Sequence, residues 1–162
     1  MDKILKLLSE NSNLTYKEIA TMLGEPEDYI EKQIKQYEKD GVIKGYQAVI
    51  DYDKVKGADA TAYIALTVTP EKDTGFDSIA QEIMNFDEVE SVYLMAGSYD
   101  LLVLVKGASV TDIAMFVAKK LSTIDAVVAT STRFKLKTYK ESGIRRLTLA
   151  ERLRKLPLSF FG

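Results

Sequence analysis

The sequence predicts an α+β chain with an N-terminal helix-turn-helix, a linker strand and a C-terminal ferredoxin-like βαββαβ domain. Three short helical patterns, divided by Gly24 and Gly41, fill the first 44 residues. A strictly alternating apolar pattern then begins near Ala60. From there the order is strand, helix, strand, strand, helix, strand, which is the ferredoxin-like arrangement.

The composition excludes several function classes. The 162-residue chain has no cysteine, no histidine and a formal net charge of -2. It therefore lacks disulfides, thiol nucleophiles and the commonest general base and metal ligand. No apolar run approaches the roughly 20 residues of a membrane span, and the start of the chain is amphipathic rather than a signal peptide. We expect a cytoplasmic protein with no membrane association, no cofactor and no metal.

Capping and glycine signals mark the first three helices. The first helix has an apolar face, and the second begins at a capping box formed by Thr15 and Glu18. Gly24 ends the second helix, and Pro26 suits the first turn of the third. Gly41 ends the third helix. The apolar face of the first helix consists of Ile4, Leu5, Leu7 and Leu8.

The third helix would be the recognition helix of a helix-turn-helix. Lys32 and Lys35 are candidate phosphate contacts, and Gln33 and Gln36 could read base edges. Against this, the first 44 residues hold seven lysines and nine acids, and the helix opens on carboxylates. A small helical bundle with no DNA role is the alternative.

The remaining elements follow from periodicity and turn residues. Residues 45–51 predict a linker strand, and a polar stretch up to residue 59 predicts a domain boundary. One helix is expected over residues 75–85, with an apolar face that includes Met84. A second helix is expected after a capping sequence at Ser109. The predicted apolar face of this second helix consists of Val110, Ile113, Ala114, Val117 and Leu121. Strands are expected over residues 60–69, 89–95, 99–105 and 127–139.

Two further expectations concern the sheet. A tight turn at Gly97-Ser98 joins two strands, and we expect the glycine to take a positive φ there. One sheet face is left uncovered and carries Tyr63 and threonines, so it suits another subunit or a solvated surface. The predicted division is helix-turn-helix 1–44, linker 45–59, effector and oligomerisation domain 60–139, and basic tail 140–162.

Three stretches together resemble the Lrp/AsnC (feast/famine) family of transcription regulators. They are Glu38 to Tyr46, the turn Gly97-Ser98-Tyr99-Asp100, and Asp125 to Thr132. The resemblance covers residues 1 to about 144. It implies a DNA-binding regulator joined to a sensing domain, dimers that often assemble into rings of four dimers, and an amino acid or related metabolite bound between dimers.

The chain departs from the family in its recognition helix. Serine or threonine is usual near its start, where this chain has Pro26, Asp28 and Tyr29, and arginines are usual where it has Gln33 and Gln36. We therefore expect weak DNA binding by a single domain. The predicted DNA-contacting residues are Tyr16, Asp28, Tyr29, Lys32, Gln33, Lys35 and Gln36.

The predicted effector site lies at the turn between the two middle strands. Gly97 would let the backbone approach a ligand, N–H groups near Ser98 and Tyr99 could hold a carboxylate, and Asp100 could pair with an ammonium. Alternatively, Gly97 only closes a hairpin that Asp100 caps. The predicted site residues are Met95, Ala96, Gly97, Ser98, Tyr99, Asp100, Thr130, Ser131 and Thr132.

From Tyr139 onward the chain has six Lys/Arg residues and two acids. A capping sequence at Thr148 and leucines up to Leu156 predict a short amphipathic helix that also includes Ile144. This tail could be a basic arm on DNA phosphates, an oligomerisation tail, or a helix packed on its own subunit. A contact with anionic membranes is a minor alternative.

Three functions compete on this sequence. The favoured one is a ligand-responsive transcription regulator, and the second is a ligand-gated assembly protein with weak or lost DNA binding. The third is an enzyme similar to sirohaem-decarboxylating proteins, which rely on histidine and on an arginine pair after the recognition-like helix. This chain has no histidine and reads Lys44-Gly45-Tyr46 there, so we expect no enzyme activity.

Overall fold

The computed structural model describes residues 2–57 and 59–146. They divide into two compact units. The first unit holds the residues up to Ile50 together with those from Lys140 onward, and the second is Asp51–Tyr139. The chain thus leaves the first unit, builds the second and returns. The predicted linker, residues 45–59, is divided between the two units.

Three helices form the body of the first unit: α1 (Lys3–Glu10), α2 (Tyr16–Leu23) and α3 (Glu27–Lys39). The predicted capping box is confirmed, because Thr15 Oγ1 accepts from Glu18 N–H while the Glu18 carboxylate accepts from Thr15 N–H. Gly24 ends α2 in the left-handed conformation, as predicted. Five buried side chains form the core of this unit: Ile4, Ile19, Ala20, Ile30 and Ile34.

The predicted strand over residues 45–51 is wrong for the single chain. The described residues between Lys39 and Ala60 form no strand. A strand is held by hydrogen bonds to a neighbouring strand, and no described segment of this chain pairs with these residues. A suitable sequence is therefore not sufficient here without a partner.

The second unit has the predicted ferredoxin-like order. Its elements are β1 (Ala60–Val68), α4 (Asp77–Met84), β2 (Val89–Leu94), β3 (Leu101–Gly107), α5 (Val110–Lys119) and β4 (Val127–Phe134). The strands form one antiparallel sheet in the order β2-β3-β1-β4. Both helices pack on the same sheet face, against the buried side chains Ala62, Ile64, Leu66, Leu101, Val103 and Val105.

Parts of the predicted helix faces are wrong. Ile113, Phe116 and Val117 are the buried residues of α5, whereas Val110 and Ala114 are exposed. Ala114 directly follows a buried position, so it points about 100° away from the core. Leu121 is buried, but in a 3₁₀ turn after α5. In α4, Met84 is likewise exposed.

The last strand is shorter than predicted. β4 ends at Phe134 rather than Tyr139, and Leu136 is 93 % exposed. Its partner β1 begins at Ala60, and Lys135 N–H makes the last bond of this ladder, to Thr61 O. The partner strand runs out at that point, so β4 cannot continue.

A small hairpin returns the chain to the first unit. It is formed by β5 (Lys140–Glu141) and β6 (Ile144–Arg145). Its turn residues Ser142 and Gly143 have φ values of 46° and 80°, as a two-residue hairpin requires. The predicted tail helix is therefore wrong at Ile144, and its continuation from residue 147 lies outside the described residues. None of the described helices has the length and apolar character needed to cross a membrane.

Candidate DNA-binding face and effector turn

The outward face of α3 carries a row of charged side chains. Asp28, Lys32, Lys35 and Lys39 follow one another at intervals of four, three and four residues, so they lie on one side of the helix. All four are exposed, while Ile30 and Ile34 are buried on the inward side. Lys39 was not among the predicted contacts, although its spacing from Lys32 and Lys35 was a usable signal.

The three lysines of this row have different surroundings. Lys35 Nζ lies 2.6 Å from Glu31 Oε1, and this hydrogen bond raises the pKa of Lys35. Within the described part of the chain, Lys32 and Lys39 make no ion pair. Lys35 must give up an intramolecular partner before it can bind a phosphate, whereas Lys32 and Lys39 need not.

The uncharged candidates on α3 lie beside this row. Tyr29 is 45 % exposed, whereas Gln33 is half-buried. Gln36 is exposed, and its Nε2 donates to Asp40 Oδ1 at 2.8 Å. The predicted α3 contacts therefore form one contiguous surface, with Gln33 the least accessible of them.

Tyr16, the remaining predicted DNA contact, lies on α2 and not on α3. It is half-buried at the start of α2 and lines a hollow of about 200 Å³ together with Glu38 and Tyr46. Tyr46 Oη donates to Glu38 Oε1 at 2.8 Å, and burial, followed by this hydrogen bond, raises the pKa of Tyr46 to about 12. The interaction holds the segment after α3 against the helix.

The predicted effector turn is a six-residue loop. It spans residues 95–100 between β2 and β3 and is closed by a hydrogen bond of 2.8 Å from Met95 N–H to Asp100 O. The expected positive φ at Gly97 is wrong, since the positive-φ glycines are Gly24, Gly41, Gly57, Gly75 and Gly143. A loop of this length reverses the chain without a left-handed residue at that position.

Asp100 fixes this loop to the central strand. Its N–H donates to Leu66 O at 2.9 Å, and its Oδ2 accepts from Val68 N–H at 2.9 Å. Its other oxygen, Oδ1, has no hydrogen-bond partner among the described residues. Asp100 therefore has a structural role and retains one carboxylate oxygen for another group.

Open space lies next to Gly97. Apart from Gly97 itself and its two chain neighbours, no described residue has a heavy atom within 4 Å of a Cβ built at this position. Residues 95–98 are exposed, whereas Tyr99 and Asp100 are half-buried. A ligand could approach the backbone of this loop without displacing a side chain.

The three polar residues of β4 do not share one surface. Thr130 pairs with Leu66 and Thr132 with Ile64, so both are on the helix-covered face. Ser131 pairs with Ala65 and lies on the opposite, open face. β1 lies between β4 and β3, which separates them by two strand spacings, about 10 Å.

The open face of the sheet is more apolar than the sequence indicated. Tyr63 pairs with Leu104, and Ala65 pairs with Leu102, so both leucines share the face of Tyr63. Tyr93 of β2 pairs with Leu102 and joins them. The leucines were missed because β3 is apolar on both faces, and alternation cannot divide such a strand.

Two known families match the chain, one over the helices of the first unit and one over the strands and helices that follow. Residues 61–144 match the Lrp/AsnC ligand binding domain. Residues 3–44 match a winged helix-turn-helix DNA-binding domain. The first match covers β1 to β6, and the second covers α1 to α3.

Relatives and solved structures agree with these matches. The chain is 49% identical over 142 residues to the HTH-type transcriptional regulator YugG of Bacillus subtilis, covering 87% of this chain and 86% of that protein. It is 27% identical over 130 residues to the regulatory protein AsnC of Haemophilus influenzae, covering 80% and 85%. The feast or famine regulatory protein of M. tuberculosis, solved in complex with L-methionine, superposes with a TM-score of 0.69 at 25% identity, covering 85% of this chain and 90% of that one.

Proposed function

The chain belongs to the Lrp/AsnC family of transcription regulators, whose members are regulators and not enzymes, and we therefore propose a separate binding function for each of its two units. The first unit binds double-stranded DNA through the outward face of α3. The second binds an amino acid at the loop of residues 95–100. One observation is the main support for DNA binding. In the third helix of this helix-turn-helix, Lys32 and Lys39 are exposed and make no ion pair among the described residues.

DNA binding by one first unit is weak and salt-dependent in this proposal. Lys32 and Lys39 contact phosphates, and Tyr29 and Gln36 lie where they can reach base edges. Asp28 and Glu31 lower the positive potential of the same helix. Useful affinity then comes from several first units linked in one assembly, since linkage raises the effective concentration of each.

The effector is an amino acid held by complementary charges. Asp100 Oδ1 pairs with its ammonium, and backbone N–H groups at Ser98 and Tyr99 hold its carboxylate. The open space at Gly97 admits the ligand backbone. The structure of the M. tuberculosis protein with L-methionine supports this ligand class. Since the turn and Ser131 lie on strands about 10 Å apart, a neighbouring subunit completes the pocket.

Assembly starts from the open sheet face. Its apolar residues Tyr63, Tyr93, Leu102 and Leu104 form a patch that a second copy would cover. The segment of residues 45–50 has no strand partner among the described residues of its own chain, and the same segment of a second copy could supply one. We propose a homodimer that builds octamers and acts in the cytoplasm, where chromosomal DNA is accessible.

The second candidate is a ligand-gated assembly protein whose DNA binding is weak or lost. The observation that favours it is the ion pair between Lys35 and Glu31, which occupies one of the three lysines of α3. This candidate keeps the effector loop and the open sheet face but gives α3 no partner.

Two measurements separate the candidates. A thermal-shift screen with the common amino acids should identify an effector, because a ligand that binds only the folded state raises the melting temperature. A mobility shift on the DNA upstream of the protein's own gene should show binding at low salt that weakens as salt increases. A ligand-induced thermal shift without any retardation of DNA would favour the assembly protein.

A further inference from the structure

We propose that the hollow of about 200 Å³ in the first unit is a second small-molecule site, which binds a short-chain primary alkylammonium ion. The site combines one carboxylate, two tyrosines and an apolar lining, all from residues up to Ile50. It belongs to a different unit from the loop of residues 95–100 and does not depend on the function proposed for that loop. Three properties of the hollow support this ligand class: its charge, its aromatic rings and its apolar lining.

The hollow is formed where the three helices of the first unit and the segment after α3 meet. Leu8 comes from α1, Tyr16 begins α2, and Glu38 lies in the last turn of α3. The segment after α3 contributes Tyr46, whose Oη donates to Glu38 Oε1 at 2.8 Å. Because the pKa of Tyr46 is raised to about 12, this hydroxyl stays protonated at neutral pH and continues to orient the Glu38 carboxylate.

The hollow carries a negative charge that no described cation balances. Glu38 is the only charged side chain among the described residues that line it. Within the described part of the chain Glu38 makes no ion pair, and Lys35, three residues earlier on α3, is paired with Glu31 instead. Since Tyr46 uses Oε1, Glu38 Oε2 has no hydrogen-bond partner among these residues. This oxygen can accept a charge-assisted hydrogen bond from an ammonium, whereas an anion would be repelled.

The two tyrosines favour an ammonium over a neutral ligand. Tyr16 and Tyr46 both line the hollow, and the face of a tyrosine ring attracts a cation that lies within about 6 Å of its centre. The hydroxyls of Tyr16 and Ser12, which also lines the hollow, make no hydrogen bond to a described residue. Both can therefore accept from the N–H donors of an ammonium that Glu38 does not use.

The remaining lining is apolar and fits a short alkyl chain. It consists of Leu8, Leu14 and Ile34, of which Ile34 is buried and the two leucines are half-buried. Each CH₂ group buried against such side chains favours binding by about fourfold. A volume of about 200 Å³ corresponds to about six water molecules at roughly 30 Å³ each. This space suits a ligand of the size of butylammonium.

The test uses the full chain with fluorotyrosine in place of tyrosine and n-butylammonium chloride as the probe, at constant ionic strength. Fluorine NMR signals of Tyr16 and Tyr46 are assigned with the variants Tyr16→Phe and Tyr46→Phe. We expect both signals to shift saturably as n-butylammonium is added. n-Butanol has the same chain without the charge and butyrate has the opposite charge, so neither should produce this saturable shift at the same concentrations.

Three substitutions locate the site through the Tyr16 signal. Glu38→Gln keeps an oxygen that can accept from Tyr46 Oη, so the fold should persist, but the lost charge should weaken n-butylammonium binding by about tenfold or more. Tyr46→Leu removes one ring and should weaken binding by about two- to fivefold. The control Glu27→Gln removes a carboxylate from the first turn of the same helix, outside the hollow, and should leave the affinity unchanged.

Each contrary outcome overturns the proposal in a different way. Equal shifts with n-butylammonium and n-butanol, or full affinity in Glu38→Gln, would show that no ammonium is recognised in the hollow. Signals that respond to protein concentration and not to the amine would replace the ligand with a contact between copies of the chain. Binding that is lost in Asp100→Asn and kept in Glu38→Gln would place the amine at the loop of residues 95–100, which would support the proposed effector site and overturn this one.

Discussion

The Asp100 carboxylate accepts a hydrogen bond from the N–H of Val68 at 2.9 Å. This contact ties the loop of residues 95–100, the proposed effector site, to the end of β1, where the register between β1 and β4 shifts at Thr67 and Val68. Because Val68 is buried, the loss of this acceptor would leave a costly unpaired N–H. The structural role of Asp100 and the ligand-binding role proposed for it would thus use two different oxygens of one side chain.

Two substitutions at Asp100 separate those roles. The side-chain oxygen of Asp100→Asn can still accept from Val68 N–H, so we expect a near-wild-type melting temperature. The loss of charge should weaken an amino-acid ligand by roughly 1.5–3 kcal/mol. Asp100→Ala should lose ligand affinity and also about 1–3 kcal/mol of folding stability. Calorimetric titration and thermal denaturation of both variants measure this, and unchanged affinity in Asp100→Asn would remove Asp100 from the site.

The same substitution at two glycines should have opposite effects. At Gly107 a Cβ would lie 2.9 Å from Ile113 Cγ1, so Gly107→Ala should destabilise the fold by about 1–3 kcal/mol. At Gly97 a Cβ meets nothing within 4 Å and φ is not positive, so Gly97→Ala should leave stability unchanged or slightly raised. If the space at Gly97 holds the effector, Gly97→Ala should still weaken ligand binding. Full ligand affinity in this variant would place the effector elsewhere.

The lysine row of α3 makes a graded prediction for DNA. Lys32→Ala and Lys39→Ala should each weaken binding to every sequence and reduce the salt slope by about 0.9. Glu31→Gln should strengthen binding, because it releases Lys35 from its ion pair. Lys72→Ala, in the second unit, is the control. Equal affinities for all four variants in a fluorescence titration would show that α3 does not face the DNA.

The Glu88–Lys120 pair predicts a pH-dependent part of stability. Lys120 Nζ lies 2.6 Å from Glu88 Oε1, and this hydrogen bond holds the pKa of Glu88 below its ordinary value of 4.5. The stabilisation is fully present above pH 4.5 and is lost as the pH falls through the lowered pKa. Glu88→Gln should cost about 0.2–1 kcal/mol at neutral pH and nothing in strong acid. Urea titrations at neutral pH and in strong acid, with Glu82→Gln as the control, test this prediction. A loss of unfolding free energy that is the same at both pH values would contradict it.

The open sheet face predicts the effect of a buried charge on assembly. Leu102→Asp would place a carboxylate in the apolar patch, so we expect a single-chain mass by light scattering at micromolar concentration. Leu136→Asp is the matched control, since that side chain is 93 % exposed. An oligomer that survives Leu102→Asp would locate the interface on another surface.

The sequence was most informative where structure is decided locally. The capping box at Thr15 and Glu18 and the left-handed Gly24 depend on side chains within one helical turn, and both are confirmed. Gly97 shows the limit of such signals. The same Gly-Ser pair fits a tight hairpin or a longer loop, and the choice depends on where Asp100 bonds to β1.

Non-local pairing accounts for most of what was missed. Consecutive strand residues face opposite sides of the sheet, so alternation alone separates Thr130 from Ser131. Which of the two lies under the helices depends on the pairing of β4 with β1, which is set by the whole ladder. The segment of residues 45–51 has a strand-like composition, but a strand needs a partner that no described part of this chain provides. Nothing in the sequence around Arg146 indicated that its side chain would donate to the carbonyl oxygen of Ile50, 96 positions earlier.

The bond between Arg146 and Ile50 also bears on the order of folding during synthesis. The effector domain is continuous in sequence, so its four strands and both helices are available once residue 139 has left the ribosome. The DNA-binding unit is discontinuous and cannot be completed until the hairpin after Tyr139 has been made. Since domains generally fold as they emerge, the effector domain can form while the first unit still lacks its closing contact. A nascent regulator thus acquires its sensing domain before its DNA-binding unit is complete.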